Sequence, residues 1–135
     1  MDLMESLMIS AAGMRAQGQR LRVVAENLAN ADSVAEVPGG DPYRRKTISF
    51  KNQLDRELGL ETVQVGKLGE DPSDFRMKYD PGNPAADGKG YVKLPNVNSL
   101  IEMSDMREAQ RSYEANLKAI EVARSMLQRT IDLIR

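Results

Sequence analysis

The sequence has no cysteine, no histidine and no tryptophan, and its aromatics are only two Phe and four Tyr among 135 residues. Without Cys there is no disulfide and no thiol nucleophile, and with His also missing there is no Cys/His zinc site. The side chain that most often serves as a general base near neutral pH is gone as well. Any chemistry would rest on carboxylates, Lys, Ser or Tyr. Nineteen Lys and Arg against twenty Asp and Glu leave a net charge of −1. That balance excludes the electrostatic footprint of a general nucleic-acid binder. No apolar run reaches the ~18 residues that a membrane-spanning helix needs. The opening MDLMESLMIS carries acidic residues where a Sec signal carries positive charge, so no Sec-type signal is expected. Missing Cys suits cytosolic and exported proteins alike and leaves the compartment open.

Proline and glycine are unevenly spread. All six Pro and eight of the ten Gly lie between Ala31 and Pro95. The flanks, Met1–Asn30 and Asn96–Arg135, contain no proline. This reads as helix, irregular middle, helix. The expected fold class is mainly α: two long terminal helices paired as an antiparallel coiled-coil hairpin, with a small irregular or β middle domain. The expected domains are 1–30 together with 96–135, and 31–95.

The first flank carries a heptad pattern. Leu7, Met14, Leu21 and Leu28 recur every seven residues, and Met4, Ala11, Gly18 and Ala25 occupy the alternate positions. One half of this seam is large and the other mostly small. Gly18 costs about 1 kcal/mol of helix propensity against Ala. Its register with Ala11 and Ala25 predicts a close helix–helix contact there. The second flank has its own seam: Met103, Met106, Gln110, Tyr113, Leu117, Ile120, Arg124, Leu127, Ile131 and Ile134. Ser99-Leu100-Ile101-Glu102 has the form of a capping box, which predicts a helix start at Ser99. One hairpin cannot cover the remaining apolar positions, such as Leu3, Met8, Val24, Met126 and Leu133. Those ask for more helices from other chains.

In the middle, Arg45–Phe50, Glu61–Lys67 and Gly90–Leu94 read as short strands among turn-rich loops. Asp87–Gly90 (DGKG) lacks the frame of a phosphate loop. Asn83–Leu94 fails as a calcium loop, because Ala85 and Leu94 fall where ligands belong. Tyr43–Thr47 (YRRKT) is a small basic cluster read as a solvated or salt-bridged edge. Nothing converges on catalysis, and no cofactor or metal is expected.

Specific residues then carry more than the pattern does. Ala12-Gly13-Met14-Arg15-Ala16-Gln17, followed by Arg20-Leu21 and Asn27-Leu28-Ala29-Asn30, resembles the N-terminal signature of bacterial flagellar rod and hook proteins. Tyr113-Glu114-Ala115-Asn116 and Met126-Leu127 resemble the matching C-terminal helix. In the middle, Gly39–Lys46 and Tyr79–Asn98 are similar to the proximal-rod members of that family. The resemblance implies a structural rod subunit, not an enzyme. It implies export through the flagellar type III apparatus without a cleaved signal, and localisation to the basal-body rod. The implied partners are further copies, rod proteins of the FlgB, FlgF and FlgG types, and the export-gate adaptor FliE, with no nucleic acid and no direct membrane insertion. The seam residues, with Asn27, Asn30 and Asn116, become candidate subunit-interface residues. Asn27, Asn30 and Asp32 are expected to end the first helix, with their amides also bonding a neighbouring subunit; the alternative is simple capping, which suits Asn30 better than Asn27, inside the helix run. The competing expectations are a self-contained coiled-coil adaptor that binds a partner helix and a small carboxylate-dependent enzyme.

Overall fold

The computed structural model describes residues 2–135. Two long helices enclose four strands in the chain. Helix α1 spans Leu3–Ala29 and α2 spans Ser99–Ile134. Between them lie β1 (Lys46–Asp55), β2 (Leu60–Glu70), β3 (Arg76–Tyr79) and β4 (Tyr91–Leu94). β1 pairs with β2, and β3 pairs antiparallel with β4, giving two separate two-stranded sheets. No helix among the described residues is long and apolar enough to cross a membrane.

The chain divides into two compact units, each built from noncontiguous pieces. One holds α1 up to Leu21, residues Ile48–Lys67 and residues Arg107–Arg135. Its helices meet through small residues. A Cβ at Gly13 would lie 2.8 Å from the Asn116 amide nitrogen, so only glycine allows this approach without displacing that side chain. Ser10, Ala12 and Ala16 on α1, and Ala109 and Ala123 on α2, are buried. Arg20 donates to Glu108 across 3.4 Å, an exposed pair worth little. Moving along the chain from Gly13 to Arg20, the partner falls back from Asn116 to Glu108, so the two helices run in opposite directions here.

The same unit contains most of the β1–β2 ribbon. Ile48, Phe50 and Leu54 alternate with polar residues along β1, which is the period a strand needs. The Asp55 carboxylate accepts the backbone N–H groups of Glu57 and Leu58 at 3.0 and 3.3 Å. Gly59 follows at φ +65° and turns the chain into β2. Every residue from 49 to 59 is exposed.

The other unit holds Arg22–Thr47 and Leu68–Met106. Its core is Val23, Val24, Ala31, Ala85, Val92 and Val97. Tyr79 and Tyr91 end the β3–β4 ladder as an edge-on ring pair with centroids 5.2 Å apart. The loop before β4 is held by Asp87, whose carboxylate accepts the N–H groups of Lys89 and Tyr91 at 2.8 and 3.0 Å. Those bonds hold the Asp87 carboxyl below its usual range. The Lys93 ammonium, 2.9 Å away, does the same for Asp41. Asp71 is lowered by bonds from the Ser73 backbone and hydroxyl and by Arg45. Depressed carboxyls stabilise the fold above the unfolded value of about 3.9, and that contribution disappears as pH falls through the folded values. The urea midpoint is therefore expected to fall as pH drops below about 4. Asp87→Asn should flatten that slope while the loop keeps its shape; an unchanged slope would refute the role of Asp87.

The helices match their expected extents, but three details differ. The α2 cap is Asn98, not Ser99: its Oδ1 accepts the Leu100 and Ile101 N–H groups at 3.1 and 3.5 Å. Glu102 is no capping-box partner, because its carboxylate is buried on other groups. Strand β3 had no sequence signal, since all four of its residues are exposed and it exists by pairing with β4.

Candidate functional site

The densest polar arrangement lies in the unit that holds the C-terminal end of α1 and the first turns of α2. Asn27 on α1 is 1% exposed, and Glu102 on α2 is fully buried. The Asn27 amide nitrogen donates to Glu102 Oε2 at 3.1 Å and to the Lys46 carbonyl at 2.9 Å. Its oxygen accepts the Lys46 N–H and the Tyr43 hydroxyl, each at 2.8 Å. Two donors and two acceptor positions are all that an Asn side chain offers. Asn27 is thus saturated within its own chain. The expected bond to a neighbouring subunit has no donor or acceptor left to make it.

Glu102 receives a second bond. Arg45 Nε donates to its Oε1 at 2.6 Å. The same guanidinium faces Asp71 at 3.6 Å and Asp105 at 3.9 Å. Burial works against the Arg45 charge, but the bond to Glu102 and the three carboxylates prevail and raise its affinity for the proton. Burial pushes the Tyr43 hydroxyl up to about 12, helped by the charges of Glu26, Glu102 and Glu70. Asn96 completes the frame: its Oδ1 accepts the Arg45 N–H at 2.8 Å, and its amide donates to the Asp71 and Ser73 carbonyls. Arg44 donates to the same two carbonyls and lies 4.2 Å over the Phe75 ring. The basic cluster at 43–47 is a salt-bridged edge. Its function is mechanical: it fixes the start of β1 to both helices. Among the described residues no group of three or more acidic side chains is placed to hold a metal ion.

Asn30 ends α1 by donating its amide to the Glu26 carbonyl at 2.8 Å, while its own carbonyl accepts from Ser33. That bond satisfies one carbonyl of the last helical turn. The heptad residues lie elsewhere than a self-contained hairpin requires. Leu7, Met14, Leu21 and Leu28 are half-buried, as are Ala11 and Gly18; Met4 and Ala25 are exposed. A Cβ at Gly18 would meet nothing within 4 Å. The close approach predicted there occurs instead at Gly13. Within this chain the contact strip runs through buried Ser10, Gly13 and Arg20, one residue off the apolar seam. On α2, Met106, Tyr113, Asn116, Ile120 and Leu127 are half-buried, and Leu117, Ile131 and Ile134 are exposed. Ala109 and Ala123 are buried where Gln110 and Arg124 had been placed in the seam. The reason is steric: small side chains let the backbones approach, so the large apolar ones are displaced to the flank. Sequence reasoning placed Tyr43 and Arg45 on a salt-bridged edge but not in this buried network, and it missed the close contact at Gly13. Glu102 carried one legible signal, a lone acid inside the apolar run Leu100–Met103.

Comparison with known proteins agrees with this architecture. The profile of the family described as flagellar basal body rod FlgEFG protein C-terminal matches residues 89–133. The flagellar basal-body rod protein FlgC of Agrobacterium fabrum is 57% identical over 127 residues, covering 94% of this chain and 91% of the relative. FlgC of Aquifex aeolicus is 44% identical, covering 98% of this chain and 97% of its own. FlgC of Yersinia enterocolitica is 42% identical, over 98% of both chains. With relatives 42–57% identical aligned over 94–98% of its length, the chain belongs to the FlgC family of flagellar basal-body rod proteins.

Proposed function

We propose that the chain is a structural subunit of the bacterial flagellar proximal rod, which polymerises through its terminal helices into the drive shaft and the export-channel wall. One observation carries this beyond family membership. The long helices meet through small and polar residues and leave their heptad strips of Leu and Met half-covered. Such strips are satisfied by helices of neighbouring subunits. Residues 1–30 and 96–135 form the axial coiled-coil domain in this reading, and 31–95 the small outer one. The subunit reaches the basal body through the type III export apparatus without a cleaved signal. Its neighbours are further copies, FlgB-, FlgF- and FlgG-type rod proteins and the adaptor FliE. It has no catalytic role.

The test is hydrogen exchange on the purified chain. Exchange is expected to be faster over residues 2–21 and 107–135, where the strips await neighbours, than around Asn27 and Glu102, with both helices formed in each case. Strong protection of both helices along their whole length would favour a self-contained coiled-coil adaptor instead. In cells, deleting the last turns of α2 around Ile131 and Ile134 should abolish motility at normal expression; retained swimming would sink the role of this segment.

A further inference from the structure

Residues Pro95–Glu102 join β4 to α2 and bond to four other segments of their unit. The Pro95 carbonyl accepts the Arg76 guanidinium of β3 at 3.1 Å, and the same guanidinium donates to the Ala31 carbonyl just past α1. Asn96 holds the Arg45 backbone and the Asp71 and Ser73 carbonyls. Glu102 holds the Asn27 amide of α1 and the Arg45 side chain. Pro95 and Val97 are buried between these bonds. The outer side of the following turn is bare: Leu100, Ile101 and Met103 are 77%, 54% and 49% exposed. Apolar burial of the helix itself therefore does little to seat the start of α2. The polar bonds, with Pro95 and Val97, do it.

We propose that Pro95–Glu102 is a detachable strap, and that seating it is the step that closes the fold of this unit. Unseating it strips partners at once from Asn27, from the backbone and guanidinium of Arg45, from the Asp71 and Ser73 carbonyls and from Arg76. A buried polar group left without its partner is costly. Here the losses fall on four segments together, so those segments open as one cooperative body. In chain order the strap follows all four of them, and a chain whose strap is held elsewhere cannot finish the unit. A partner that draws the start of α2 away opens the unit, and one that leaves it seated finds the unit built. The inference does not rest on the rod reading: it makes the network a switch thrown by the position of the α2 start.

Two amides away from the strap serve as reporters. Asp80 and Asp87 donate to the Gly90 and Tyr91 carbonyls, each at 2.9 Å, inside the loop before β4. Amide hydrogen exchange on the full chain compares them with the Lys46 amide, which donates to Asn27 within the network. Glu102→Ala is expected to speed all three at least 10-fold. Glu102→Gln, which keeps the shape and an acceptor, should speed them less, and Leu100→Ala on the bare side should change none of them. Faster exchange at Lys46 alone, with Asp80 and Asp87 unchanged, would overturn the strap, because the network would then act only locally. If Glu102→Ala does not fold, the unaltered chain in rising urea decides. The amides of Glu102, which donates to the Asn98 carbonyl, and of Lys46, Asp80 and Asp87 should then converge on one opening with one urea slope. A Glu102 amide that opens at lower urea while Asp80 and Asp87 stay closed would overturn the proposal.

Discussion

Asn27→Ala will lower stability by about 3 kcal/mol, although alanine is the better helix former. Propensity alone favours the substitution by about half a kcal/mol. Against that stand four hydrogen bonds from one buried amide, to Lys46 N–H, Lys46 C=O, Tyr43 and Glu102. Each buried group left without a partner costs roughly 1–3 kcal/mol. Lys46 and Tyr43 lie near enough to solvent to recover part of the loss, and Glu102 keeps Arg45. The network term still exceeds propensity several-fold. Thermal melting should show a drop of about 10 °C. A rise in melting temperature would mean that the network contributes nothing and helix propensity decides.

The second large effect separates folding from assembly with one substitution made at two glycines. Gly13→Leu must force the helices apart, because even its Cβ would sit 2.8–3.0 Å from the Asn116 side chain, which is itself bonded to the Ser112 carbonyl. Overpacking of this kind costs about 1–3 kcal/mol, and melting should report it directly. Gly18→Leu meets open space in the same chain and gains helix propensity, so its melting temperature should hold or rise. In cells the two should look alike, both failing to build rods: Gly13→Leu through a damaged fold, Gly18→Leu through a blocked neighbour. Rods assembled normally by Gly18→Leu would remove the inter-subunit role of that seam.

The sequence shows the two helices because a 30-residue stretch free of proline with heptad spacing has few other outcomes. It misplaces their contact face by one residue, and the cause is chemical. Hydrophobic periodicity finds the largest apolar strip, here Leu7, Met14, Leu21 and Leu28. The chain's own contact runs through Ser10, Gly13 and Arg20, which any apolarity scale ranks as surface. The same blindness hides the Asn27–Arg45–Glu102 network. Its members are 75 and 57 residues apart in pairing, and buried polar groups look like solvated ones until the fold brings them together. Capping was legible in kind but one residue off, because Asn98 and Ser99 are both competent caps and only the backbone geometry chooses between them.

The tight turn at Asp55–Gly59 joins two strands whose residues 49–59 all face water. No core residue and no member of the Asn27 network lies there. A short epitope or a fluorophore acceptor peptide inserted at Arg56–Glu57 would thus meet nothing it must displace within the chain. The ribbon tip is a handle by which a subunit can be seen or captured without altering a buried residue.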